Sequence, residues 1–178
     1  MAQRIYKTGT PPTDKIILDM TVAAGMPAGA VTSTPKYNAA YLLANPPMSL
    51  GIMADNLHTG AINATVYQKL EIAPQDLGTS GLNSGTMTMH WVTAFSECKN
   101  LNHNGTGWRL PTQRELLMMW IFRTKINDLS GTPFVATYYW SATQIDNASS
   151  WILFFATGAM FDVLREDLLN RTRCVREL

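Results

Sequence analysis

The sequence predicts an α+β fold in which two helices are set between strand-forming segments. Three observations lead there. Short apolar runs bounded by Pro and Gly occupy the first half, two amphipathic helical stripes follow, and aromatic or β-branched runs return near the end. The 178 residues suffice for one large domain, or for a small domain with an N-terminal extension. With 46% hydrophobic and 15% charged residues a packed core is within reach, and bulk disorder is not expected.

Residues 1–85 read as a turn-rich, β-rich region that serves either assembly or the domain after it. Pro11, Pro12, Pro27, Pro35, Pro46, Pro47 and Pro74 punctuate it, with Gly25, Gly29, Gly51 and Gly60. Between them, strands are expected at Ile16-Ile17-Leu18, at Ala40-Tyr41-Leu42-Leu43, and at Thr65-Val66-Tyr67 leading to Leu70 and Ile72. Residues 77–85 are a Gly- and Ser-rich loop, after which the character of the sequence changes and residues 86–178 read as a second unit.

The first helix places Trp91, Ala94, Phe95, Cys98 and Leu101 on one stripe and stops at Asn102-His103-Asn104-Gly105. The second starts after Pro111. Thr112 and Glu115 form a capping box, in which the hydroxyl accepts from the Glu115 N–H and the carboxylate from the Thr112 N–H. Leu116, Met119, Trp120, Arg123 and Ile126 carry this helix, as core, to the turn at residues 127–131. Strands then follow at residues 138–141, 151–155 and 172–176. Residues 159–170 match neither a polar loop nor a regular strand. Met160, Leu164 and Leu168 would also share one face of a helix.

A net charge of +1 argues against a nucleic-acid partner, which needs a concentrated basic face. Arg165, Arg171, Arg173 and Arg176 gather near the C-terminus, but Glu166, Asp167 and Glu177 interleave them, as on a solvated mixed-charge surface. No stretch is apolar for long enough to insert in a membrane, and the first fifteen residues show no secretory signal. Cys98 and Cys174 are too few for a zinc site, and His58, His90 and His103 are scattered. By themselves the cysteines fit buried thiols and a disulfide equally well.

Four fragments in order carry a family resemblance. They are Trp91–Ala94 with Cys98; Gly107-Trp108-Arg109-Leu110-Pro111-Thr112 with Glu115-Leu116; Tyr139-Trp140-Ser141; and Trp151 with Gly158, closing on Arg173-Cys174-Val175-Arg176. Together they resemble the C-terminal domain of bacterial collagen-like surface adhesins, a C-type-lectin-like fold of the formylglycine-generating-enzyme subtype. His90 departs from the family's helix-capping Thr, and Ala142 from its usual Ser. The resemblance implies two helices with mixed and antiparallel strands, and a Cys98–Cys174 disulfide. Trp91, Trp108, Trp140 and Trp151 are then scaffold, and Arg109 satisfies buried carbonyls or a carboxylate.

The same subtype resembles the variable proteins of diversity-generating retroelements, whose randomised template adenines lie at the 3′ end of the gene. Asn codons altered at adenines alone reach Phe161, Asp162, Val163, Leu164, Arg165, Asp167, Leu168 and Leu169 around a retained Asn170. They also reach Ile145, Asp146 and Asn147 in the preceding loop, and Ile152 and Phe154 on the strand. Glu166 would need a Lys-type codon, and Gln144 does not fit an Asn codon. These positions are the candidate ligand-binding residues. A diversified surface requires Phe161, Val163, Leu164, Leu168 and Leu169 to be exposed, whereas an ordinary inserted helix or loop would bury its apolar side.

The expected function is non-catalytic binding of a protein or glycoprotein receptor, with no cofactor and no metal. The resemblance places it outside the cell, on a phage tail tip or a bacterial surface. The Glu-Pro-Asn, Gln-Pro-Asp and Trp-Asn-Asp motifs of calcium-dependent sugar binding do not occur. Formylglycine-generating enzymes oxidise cysteine with their own active-site cysteines, which here are assigned to the scaffold. The alternative is a pilin-like or virion assembly subunit, forming a homo-oligomer through residues 1–85.

Overall fold

The computed structural model describes residues 5–11, 13–19, 69–78, 82, 87–130, 132–146, 148–165 and 167–178, and the backbone at 31–32 and 66–67. The strand expected at residues 40–43 lies outside them. Nine strands and three helices are described. The strands are β1 (Ile5–Thr8), β2 (Lys15–Asp19), β3 (Val31–Thr32), β4 (Val66–Tyr67), β5 (Lys69–Ile72), β6 (Tyr138–Gln144), β7 (Ser149–Phe154), β8 (Ala159–Leu164) and β9 (Val175–Glu177). The helices are α1 (Trp91–Asn100), α2 (Gln113–Ile121) and α3 (Arg123–Leu129).

One antiparallel sheet has the order β1-β2-β5-β9, so strands from both sides of residue 85 hydrogen-bond directly. Register explains its two faces. Ile5 opposes Leu18, Ile16 and Leu18 oppose Ile72 and Leu70, and Ile72 opposes Val175, which puts all six on one face in one core. Glu71 opposes Arg176 on the other face, where their side chains meet at 2.6 Å. A second antiparallel sheet has the order β6-β7-β8, and β3 and β4 pair in parallel.

The β6-β7-β8 sheet is covered on both sides. Tyr139, Leu153 and Phe155 pack with Leu116 and Met119 of α2 and Ile126 of α3. Trp140, Ala142 and Ile152 pack with Trp91, Ala94, Phe95 and Cys98 of α1. Two-sided burial is why residues 139–144 of β6 are buried without alternation, polar Ser141, Thr143 and Gln144 included. The indoles are pinned as well as packed: Trp91 Nε1 donates to the Ser141 carbonyl and Trp140 Nε1 to that of Met89, both at 2.7 Å. Trp151 departs from the expected burial. It is only half-buried, opposite Asp162 of the edge strand.

The capping box at Thr112 and Glu115 forms, with the two bonds at 3.3 and 2.9 Å. His90 caps α1 without a side-chain bond, consistent with the missing Thr hydroxyl. The second helix is not continuous to Ile126. It breaks at Phe122 (φ −98°, ψ 11°), where the Arg123 guanidinium donates to the Trp120 carbonyl that a continuing helix would use. The break still delivers Ile126 to the core.

Two further expectations change. Residues 159–164 form a regular strand, paired along its length with β7. Helix and strand both place residues i and i+4 on one face, so the Met160, Leu164 and Leu168 spacing could not separate them. The hairpin turns at Gly158, whose φ of +82° and contact with the Trp120 ring leave no room for a Cβ.

Three of the four C-terminal arginines, Arg171, Arg173 and Arg176, belong to an ion network rather than a solvated surface, and the fourth, Arg165, is buried over Trp91. Arg173 is fully buried and bonds Asp76 at 2.6 Å, with the Ala73 and Thr132 carbonyls on its remaining nitrogens. Arg171 and the Tyr139 hydroxyl take the other Asp76 oxygen at 3.0 and 2.8 Å. Arg176 bonds Glu71 and lies over Trp108, while Arg109 bonds Glu115 in two places, the Leu110 carbonyl and Glu177. Pairing each cation with a carboxylate and carbonyls offsets its desolvation, and it fixes the chain's path more than it stabilises the fold. Cys98 and Cys174, both buried, form a disulfide that ties α1 to the residue just before β9.

Candidate binding surface

The chain leaves the second sheet at its outer edge strand, β8, and rejoins it at the opposite edge, where Arg171 bridges Tyr139 in parallel. Arg165 and residues 167–170 therefore lie on a path that crosses the sheet. They cross on its Trp140 side: Arg165 lies over the Trp91 ring, and Asn170 bridges Met89, whose carbonyl accepts from Trp140. The Arg165 N–H to the Ala148 carbonyl (2.9 Å) and two bonds between Asn170 and Met89 hold the two ends.

The exposed apolar residues lie before the first anchor, on β8, and between the two anchors. Phe161 is 44% exposed, Leu164 50%, Leu168 41% and Leu169 54%. Val163, expected beside them, is only half-buried and packs partly against the α1 core. Asp162 and Asp167 are exposed. Phe154 is half-buried; its ring stacks on Tyr138 at 4.7 Å, and Tyr138 meets Phe161 edge-on at 6.0 Å. Tyr138 was not among the sequence-derived candidates. Its signal was the strand register that sets it opposite Phe154.

Three candidates do not belong to this exposed face. Ile152 is core between Trp140 and α1, Arg165 is buried over Trp91, and Asn170 is buried with its backbone paired to Met89. Their codons would have suited a variable surface, but each sits where the crossing segment or strand meets the scaffold. Ile145 is half-buried and Asp146 exposed in the β6–β7 turn, apart from the aromatic trio, while Asn147 lies outside the described residues. Asp146 Oδ1 accepts the Ala148 and Ser149 N–H groups at 2.8 and 2.6 Å. Those backbone bonds hold its carboxyl below the ordinary range.

The α+β scaffold, the helix-to-terminus disulfide and the exposed apolar edge fit the C-type-lectin-like class of domain. A family model described as the Lcl C-terminal domain matches residues 59–176, and the chain belongs to that family. No curated protein matches the chain. Among the described residues, no helix is long and apolar enough to cross a membrane.

Proposed function

We propose that the chain is a non-catalytic receptor-binding protein, of the formylglycine-generating-enzyme subtype of the lectin fold, that carries a retroelement-diversified surface. The observation that carries this reading is the exposure of Phe161, Leu164, Leu168 and Leu169 between two anchored, motif-bearing ends. Several solvent-facing aliphatic and aromatic side chains on one short stretch of chain cost free energy in isolation and suit a place where a partner binds. The three helices, the ion network and the disulfide supply rigidity that does not depend on those side chains. A protein or glycoprotein on a cell surface is the partner, met from a phage tail tip or from a bacterial surface outside the cell. The disulfide suits that oxidising setting and leaves neither cysteine as a thiol for cysteine-based oxidation.

Sequencing the 3′ end of this gene from several isolates tests the reading. Substitutions confined to adenine-derived positions between Tyr139 and Arg173, beside a near-copy repeat and a reverse transcriptase gene, are the expected result. An invariant segment would sink it.

A further inference from the structure

Resting on that binding role, we infer that the β8 edge takes a polypeptide partner that presents lysine or arginine beside an apolar anchor, and that it rejects polyanions. The first observation is charge. Residues 138–178 contain no lysine, and their four arginines are engaged: Arg165 over Trp91, Arg171 and Arg173 on Asp76, Arg176 on Glu71. Among the described residues from 138 to 170, every exposed charge is acidic: Asp146, Asp162 and Asp167. On β8 Asp162 shares a face with the exposed Leu164 and Phe161 lies on the other, while Asp167 directly precedes the exposed Leu168 and Leu169, so the exposed apolar side chains of this edge are accompanied by acidic groups alone. A sulfated, phosphorylated or uronic ligand would meet repulsion there, and a basic one attraction.

The second observation concerns the backbone. The Phe155 N–H points to the Thr137 carbonyl beyond β6, and the Arg165 N–H to the Ala148 carbonyl on the β7 side. Alternation then turns the N–H and C=O groups of Ala159, Phe161 and Val163 inward to β7, and those of Met160, Asp162 and Leu164 outward. Among the described residues β8 pairs only with β7. A row of outward donors and acceptors spaced along a strand matches another polypeptide backbone, which a glycan cannot reproduce. A second copy of β8 is a poor occupant, because antiparallel pairing centred on the strand sets Asp162 against its counterpart.

The test is selection of short random linear peptides on the immobilised full chain, repeated on Phe161→Ala and on the Asp162→Lys/Asp167→Lys double variant. Heparin, a polyanion, and a neutral dextran are measured in parallel. Peptides enriched in lysine or arginine around an apolar residue are expected. Their binding should weaken with added salt, fall about tenfold or more in the double variant, and weaken when the peptide backbone is N-methylated. Enrichment of neutral or acidic peptides overturns the inference. If heparin or dextran binds in a Phe161-dependent way, the surface is a binding site for another class and this inference alone fails. If no probe depends on Phe161, the binding role of the surface fails with it.

Discussion

The guanidinium carbon of Arg165 lies 4.9 Å from the centroid of the Trp91 ring, joining the end of the edge strand to the first turn of α1. Arg165 is 6% exposed, yet its neighbours Leu164 and Asp167 face solvent. It marks the point where exposed sequence is tied to the scaffold.

Arg165→Ala should therefore cost stability although the flanking positions do not. Losing a desolvated cation–π contact and the packing of the side-chain stem amounts to about 2 kcal/mol. Asp167→Ala should stay within about 0.5 kcal/mol of the parent. Urea unfolding of the two variants checks this, and equal effects would contradict the anchoring role.

Asp76 holds two arginines and a tyrosine at once. Asp76→Asn should destabilise by about 3–5 kcal/mol, because it strands Arg171 and Arg173 in a site built around a carboxylate. Urea unfolding at neutral pH measures it.

The same carboxylate sets an alkaline response. Burial first, and then the charge of Asp76, push the Tyr139 hydroxyl above its ordinary range. Its neutral form is favoured by folding, so the stability it contributes is complete below about pH 10, the unfolded value. That stability is lost as pH rises towards the folded value. Ultraviolet titration should show one tyrosine ionising only as the protein unfolds. A tyrosine complement that titrates fully in the folded state would contradict this.

The disulfide closes a separation of 76 residues. By loop-closure entropy, replacing Cys98 and Cys174 by serine should lower stability by about 4 kcal/mol. Thermal unfolding with and without a reductant should give the same loss in the unsubstituted chain, and an unchanged midpoint would contradict it.

Much of the scaffold was legible because its signals are local. The Thr112–Glu115 capping box, the Trp91–Cys98 stripe and the Ile16–Leu18 run each depend on residues close in sequence. What stayed hidden is long-range. Asp76 lies 97 residues from Arg173, so the arginine cluster looked solvated when only its sequence neighbours could be compared. β8 escaped for a different reason, since its apolar spacing fits helix and strand alike and only pairing with β7 decides. The exposure of Phe161, Leu164, Leu168 and Leu169 was expected from the contrast between kept motifs and the segment between them. The burial of Ile152, Arg165 and Asn170 depends on the crossing path from Arg165 to Asn170, which no local pattern encodes.

The central claim is that the edge strand and crossing segment present side chains the fold does not need. The direct measurement is the unfolding free energy of one variant carrying Phe161→Thr, Leu164→Thr, Leu168→Ser and Leu169→Ser together. The predicted result is a native disulfide-bonded protein that loses no more than about 2 kcal/mol in total, the sum expected of surface changes. A loss of about 6 kcal/mol or more, as several core truncations would give, would show that these residues hold the domain together rather than face a partner.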